Sequence, residues 1–144
     1  MNTVGQILKT KGNQVWTISK DATVADAAKI LVEKRVGAVL VMEGDSLAGI
    51  FTERDLVNKV SLSGRNPAEI SLDEVMTHQV VTVTPADTVN TCMALMTDRH
   101  FRHLPVVQDG KLAGILSIGD VVKDIIEELQ FMVNQFERYI QGLR

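Results

Sequence analysis

The sequence predicts an α/β fold made of two β-α-β-β-α units packed about a pseudo-twofold axis, with a long helix after the second unit. Three observations carry this. Sliding the 144-residue chain by 65 positions aligns residues 14–57 with 79–122 without a gap. Within that alignment the apolar pattern and the turn residues stay in phase even where the residues differ, which marks a duplicated structural unit. Beyond it, Val122, Ile126, Leu129, Val133, Phe136, Ile140 and Leu143 are spaced alternately four and three, an a/d seam over three heptads that Ile125, Met132 and Tyr139 widen. Two copies are too few for a solenoid, so the units are expected to pair.

Each unit opens on a β-rich run, where Val15-Trp16-Thr17-Ile18 falls on Val80-Val81-Thr82-Val83. A polar turn follows, then a helix. Thr23 stands at its N-cap with Asp26 three residues on, the spacing of a capping box. Val24, Ala27, Ala28 and Leu31 recur at i, i+3, i+4 and i+7, as do Val89, Cys92, Met93 and Met96, giving each helix one apolar face. Apolar runs at 38–42 and 47–51 flank Glu43-Gly44-Asp45-Ser46. Those at 104–107 and 112–116 flank Asp109-Gly110, which is hairpin chemistry. The pattern turns helical again at Glu53 and at Ile118. Between the units, Ser61, Ser63, Gly64, Asn66 and Pro67 mark a loop, and Ser71-Leu72-Asp73-Glu74 reads as a capping box opening a short helix. The segments are expected to divide as 1–70, the first unit with its N-terminal segment and linker, then 71–127, the second unit, and 128–144, a helical extension.

Fifteen Lys+Arg stand against 18 Asp+Glu, a net charge of −3, so any anion site is local and no general field draws nucleic acid or an anionic membrane. The longest uncharged apolar run, residues 36–42, is far short of the roughly 18 residues a membrane span needs. No charged-then-apolar leader opens the chain. Lone Cys92 excludes an internal disulfide and a cysteine-based zinc site. A soluble cytoplasmic protein is expected. Hydrolase, phosphate-loop, dinucleotide and zinc-protease motifs are missing, and His78, His100 and His103 include no i, i+4 pair on a helix. Neither catalysis nor a catalytic cofactor or metal is expected.

Each unit ends its last strand on a hydroxyl with a carboxylate three residues later: Thr52-Glu53-Arg54-Asp55 and Ser117-Ile118-Gly119-Asp120. A hydroxyl at a strand-to-helix junction lies beside unpaired helix N–H groups and faces anions naturally. A carboxylate one turn on can accept both hydroxyls of a ribose. The same pattern is also a helix capping box, and the residues alone leave both readings open. Arg99-His100-Phe101-Arg102-His103 is the densest basic cluster and runs into the apolar strand 104–107. It reads either as a solvated strand entrance or as a phosphate site, since Arg offers a planar donor fork.

Together these motifs resemble a CBS-domain pair, the regulatory module also called a Bateman module. The matching residues are Val80-x-Thr82-Val83-x-Pro85, Arg102-His103-Leu104-Pro105-Val106-Val107, Leu112-Ala113-Gly114-Ile115-Leu116-Ser117-x-x-Asp120 and their first-half counterparts. The resemblance covers residues 2–127, and the chain is most similar to stand-alone bacterial proteins of two CBS motifs and little else. It implies two clefts, each taking the hydroxyl-x-x-Asp of one motif and the strand-entry residues of the other. AMP, ADP, ATP, NAD(H) or S-adenosylmethionine are the implied ligands. Carried over, one cleft combines Thr52, Arg54 and Asp55 with Val83, Phe101, Arg102 and His103. The other combines Ser117 and Asp120 with Ile18, Val36, Gly37 and Ala38, and Ile50 and Ile115 complete the expected site.

In the gamma subunit of AMP-activated protein kinase, basic residues at the positions of Arg54, Arg102 and His103 contact phosphates, and here all three fall in the first cleft. The second cleft has Gly119 and Gly37-Ala38 at those positions, and Lys20 replaces the proline found at Pro85. Phosphate is therefore expected in the first cleft. The function implied is that of a non-enzymatic sensor whose adenine nucleotide changes its action on a separate protein. A structural dimerisation module without a physiological nucleotide is the alternative. The apolar face of the last helix and the family habit of forming a disk of four motifs imply a homodimer, with no nucleic-acid or membrane partner.

Overall fold

The computed structural model describes residues 2–142. It opens on a helix that the residue pattern does not announce, α1 (Val4–Lys11), capped by Thr3 and Gln6 in a reciprocal pair of bonds. The first unit follows as β1 (Thr17–Ser19), α2 (Val24–Lys34), β2 (Ala38–Glu43), β3 (Ser46–Thr52) and α3 (Glu53–Asp55), which runs on into a wide helical turn over Leu56–Val60. A tight turn over Pro67–Glu69 and the one-turn helix α4 (Leu72–Val75) lead to α5 (Val89–Arg99), β4 (His103–Gln108), β5 (Lys111–Ser117) and α6 (Ile118–Gly142). β1 lies parallel to β2 and β2 antiparallel to β3, while β4 and β5 form the second hairpin.

The 65-residue offset holds in detail. The pairing Ala38↔Thr52 is matched by His103↔Ser117, and each hairpin is bulged at the same place, Val41/Met42 and Val106/Val107. Both long helices bury the expected stripe, Val24, Ala27 and Leu31 in α2 and Val89, Cys92 and Met96 in α5. Both also end on a left-handed residue, Arg35 (φ 54°) and His100 (φ 58°). Asp109 and Gly110 both take positive φ, as a two-residue hairpin turn requires.

Two sequence expectations are corrected. Residues 80–83 form no strand, and only Val83 bridges to Val106. Two prolines explain the loss. In the first unit the Leu40 N–H donates to the Trp16 carbonyl (3.0 Å) and the Lys20 N–H to that of Met42 (3.1 Å), at either end of β1. The equivalent positions are Pro105 and Pro85, which have no N–H to give. The bonds that survive are Val83 N–H to the Pro105 carbonyl (3.0 Å) and Val107 N–H to that of Val83 (2.8 Å). Ser71 heads α4 but makes no side-chain cap. The Glu74 N–H goes to the Ser71 carbonyl (3.1 Å) rather than to its hydroxyl, so the expected capping box is not formed.

The covering helices are exchanged between the units. Val4, Ile7 and Leu8 of α1 join the core of the second unit with Val89, Met96, Leu104 and Leu116. Leu72 in α4 joins that of the first, with Val24, Leu31, Val39 and Phe51. Backbone bonds repeat the exchange: Val4 N–H to the Asp87 carbonyl (2.9 Å) and Leu72 N–H to that of Ala22 (3.0 Å). A third cluster, Ala38, Leu40 and Ile50 with Val80, Leu112 and Ile115, fills the space where the hairpins meet. This crossing accounts for the repeated Leu-Ala-Gly-Ile. A Cβ on Gly49 would lie 2.7 Å from the Thr77 carbonyl oxygen, and one on Gly114 2.9 Å from a Leu8 methyl.

Only the start of α6 is covered, by burial of Val121 and packing of Ile125 on the second core. Beyond it, Ile126, Leu129, Met132, Val133, Phe136 and Ile140 stand 41–65% exposed. Leu143, the last residue of the expected seam, lies outside the described residues. No helix among the described residues is long and apolar enough to cross a membrane.

Candidate functional site

A cavity of about 550 Å³ opens between the units, where the β3–α3 junction faces the α5–β4 connection. Ile50, Thr52, Glu53, Arg54, Asp55, Val57 and Asn58 form one wall. Arg99, His100, Phe101, Arg102 and His103 form the other, with Gly37 and Thr77 at the seam. The cavity thus unites Thr52, Arg54 and Asp55 with Phe101, Arg102 and His103, six of the seven residues expected in the first cleft. Val83 is the exception. As the one residue of its run that keeps parallel pairing, it is buried in the second core.

Thr52 ends β3 in an extended conformation and caps α3. Its hydroxyl accepts the Asp55 N–H (3.3 Å), while Asp55 Oδ2 accepts the Thr52 N–H (3.0 Å) and hydroxyl (3.2 Å). Lys59, one turn on, sets its ammonium 3.1 Å from Asp55 Oδ1 and donates to the Val75 carbonyl (2.9 Å). An ionised carboxylate has about four acceptor sites, and three donors use this one, so capping leaves room for a further hydroxyl.

On the facing wall, the left-handed His100 turns the chain out of α5 and carries Phe101, Arg102 and His103 into β4 along the cavity. The His100 carbonyl, left over at the helix end, accepts from Arg54 Nη1 (3.2 Å), which ties the two walls together. Among the described residues Arg99 and Arg102 make no ion pair, so both guanidiniums are available to an anion. His103 packs over Gly37, where a Cβ would lie 3.1 Å from its Cε1 and 2.7 Å from Glu53 Oε1. Burial pushes the His103 imidazole below its ordinary pKa; Glu53 and Asp120 pull upward, and Lys11 and Arg102 add to the fall. This environment favours the neutral ring.

The pseudo-symmetric group is built differently. Asp120 Oδ2 accepts the Ser117 N–H (2.8 Å), and the Asp120 N–H goes to the Ser117 hydroxyl (3.2 Å). Lys11 Nζ then lies 2.6 Å from the same Oδ2 and donates to the Ile115 carbonyl (2.8 Å). Burial works to raise the Asp120 pKa, but the bonds from Lys11 and Ser117 outweigh it and hold the carboxyl below its usual range.

Ser117 and Asp120 line neither this cavity nor a second one at the end of β1. Gly37, expected beside them, lines the first cavity, because its carbonyl accepts the Glu53 N–H (3.0 Å) and so lies at the start of α3. Ile18 lines the other cavity, about 660 Å³, with Met42, Gly44, Asp45, Lys111 and Leu112. Val36 packs on the first core, and Ala38 and Ile115 sit where the hairpins meet. Ile50 does line the first cavity.

Glu53, Val57, Asn58, Thr77, Arg99 and His100 also line it, though the resemblance carried none of them into a cleft. Arg99 and His100 stand in the basic cluster and Glu53 inside the hydroxyl-x-x-Asp motif, so a signal was there. Thr77 has none, since it arrives through reciprocal backbone bonds with Ile50 (3.0 Å each).

Residues 4–62 and 72–127 each match the CBS domain family model. The chain belongs to the CBS-domain family. CBS-domain proteins are generally regulatory rather than catalytic. This CBS pair is 37% identical to the mitochondrial CBS domain-containing protein CBSX3 of Arabidopsis thaliana, over 97% of this chain and 72% of the relative. A solved protein with CBS domains from Burkholderia ambifaria matches with a TM-score of 0.84 at 46% identity, covering 88% of this chain and 95% of that one. CBSX2, solved in complex with AMP, matches with a TM-score of 0.74 at 28% identity, covering 88% and 98%.

Proposed function

We propose that this CBS pair is a regulatory sensor without catalysis of its own, which holds an adenine nucleotide of the AMP class between its units and modulates a separate protein. The observation that carries the reading is the convergence of Thr52 and Asp55 with Arg54, Arg102 and His103 on one cavity of about 550 Å³. That volume is within the usual range for small-ligand sites. Asp55 offers an acceptor for ribose, the two arginines offer forks for phosphate, and Ile50, Val57 and Phe101 offer apolar surface for a base. The AMP complex of the CBSX2 neighbour supports the ligand class. ADP, ATP, NAD(H) and S-adenosylmethionine carry the same adenosine and compete for the role.

In this reading the chain acts as a homodimer through the exposed face of α6, with 1–70 and 71–127 as its motifs and 128–144 as the extension. It works in the cytoplasm, although the Arabidopsis relative is named as mitochondrial. One observation favours a structural module without a nucleotide: both hydroxyl-x-x-Asp pairs close complete capping boxes, which alone would account for them. Thermal melting with AMP, ATP, NADH and S-adenosylmethionine separates the two. A ligand at about 100 times its Kd adds roughly 2.7 kcal/mol, a rise of several degrees that Arg102→Ala should cancel. No rise with any of the four would leave the structural reading standing.

A further inference from the structure

The pseudo-twofold exposes a residue with no counterpart in the first cavity. There, the Ile50 carbonyl accepts the Thr77 N–H at 3.0 Å, and Thr77 lines the cavity. The equivalent carbonyl, that of Ile115, accepts Lys11 Nζ at 2.8 Å. The last turn of α1 therefore delivers an ammonium to the place where the first unit has a backbone edge. From there it reaches Asp120 Oδ2 at 2.6 Å, the same oxygen that caps α6 through the Ser117 N–H.

Asp55 also carries a lysine, but on another side. Lys59 comes from the continuation of the same helix, meets Oδ1, spends a second bond on the Val75 carbonyl and does not line the cavity. Lys11 is well anchored. The Thr3–Gln6 capping box starts its helix, and Val4, Ile7 and Leu8 bury that helix in the second core. The Lys11–Asp120 pair is itself partly covered, with side chains 29% and 23% exposed.

We infer that Lys11 is an internal ligand of the Ser117/Asp120 pair and keeps it closed to nucleotide, so that each chain takes one nucleotide rather than two. The inference rests on the reading of the first cavity as a nucleotide site. A ribose that sets its two hydroxyls on the two oxygens of Asp120 must compete at Oδ2 with a charge-assisted bond, which is about twice as strong as a neutral one. Gly119, Gly37 and Ala38 supply no cation to hold a phosphate in return. Lys11 is thus the residue that decides stoichiometry.

Adenosine is the probe, because it needs no phosphate donor. Titration calorimetry compares the wild-type chain with Lys11→Ala, with Lys11→Ala/Asp120→Asn and with Lys9→Ala as the control on the same helix, each checked by thermal melting. Lys11→Ala should take one more adenosine per chain than the wild type, the added Asp120→Asn should remove that site, and Lys9→Ala should titrate as the wild type does. Should Lys11→Ala fail to fold, Lys11→Met replaces it with an uncharged chain of similar length. Wild-type stoichiometry in the Lys11 variant, or a wild type that already fills two sites, would overturn the inference. Asp55→Asn judges the first cavity separately, since it weakens the ribose acceptor of the wild-type site and leaves the one that Lys11→Ala opens.

Discussion

Replacing Gly49, Gly114 and Gly119 in turn by Ala makes one chemical change in three environments, and the structure assigns each a different cost. At Gly49 the new methyl would lie 2.7 Å from the Thr77 carbonyl oxygen and 2.8 Å from Met76 Sδ. Ordinary contact begins near 3.4 Å, so backbone must retreat by about 0.7 Å. The retreat falls on the reciprocal Ile50–Thr77 bonds, 3.0 Å each, whose net value is about 1 kcal/mol apiece. With the bond to the Thr77 carbonyl lost and overpacking of about 1–3 kcal/mol, the expected loss is roughly 2–4 kcal/mol. At Gly114 the nearest atoms are the Leu8 methyls, 2.9 and 3.1 Å away at the end of a rotatable side chain, so the cost is about 1 kcal/mol. At Gly119, in the first turn of α6, only the Ser117 hydroxyl approaches, at 3.6 Å. Alanine there gains up to about 1 kcal/mol of helix propensity. Urea unfolding at one fixed protein concentration reads the three midpoints, and the slope should stay constant. A Gly49→Ala protein as stable as the wild type, or less damaged than Gly119→Ala, would refute the exchange of covering segments as the reason for the repeated glycines.

His103 gives the site a pH dependence. Its pKa is held low by burial, so a phosphate that favours the imidazolium must draw in a proton on binding. AMP affinity should rise as pH falls from 7.5 toward 6, relative to His103→Gln, and calorimetry in two buffers of different ionisation enthalpy should show proton uptake in the wild type alone. Stability moves the other way. The neutral ring contributes fully above its unfolded pKa of about 6.5, and the contribution is lost as pH falls through the lower folded value, so wild-type urea midpoints should drop more steeply than those of His103→Gln. For α6, the uncovered stripe predicts a dimer in light scattering at micromolar concentration and a monomer for Ile126→Glu/Phe136→Glu. A monomeric wild type would contradict it.

Most of the fold was legible because the duplication tested every element twice. The stripes of α2 and α5 and both hairpins follow from periodicity and turn chemistry alone. What the residues concealed was non-local. α1 packs across on the second unit, so its apolar positions match a core drawn from residues 83–121 rather than their neighbours. The run 80–83 has strand composition, and its loss is visible only once Pro105 and Pro85 are set against the donors Leu40 and Lys20. At the site, Arg54, Asp55, Arg102 and His103 could be grouped by motif, whereas Thr77 and the ammonium of Lys11 arrive through backbone pairing and helix placement that no local pattern records.

The central claim is tested most directly by titrating AMP into the wild-type chain and into Arg54→Ala/Arg102→Ala, with Lys20→Ala as control and melting curves to show that each is folded. Two charge-assisted bonds at about 1.5–3 kcal/mol each amount to a loss of roughly a hundredfold or more. The account predicts one AMP per wild-type chain, binding weakened to that degree in the double variant, and Lys20→Ala unchanged. Wild-type affinity for AMP in the double arginine variant would contradict it.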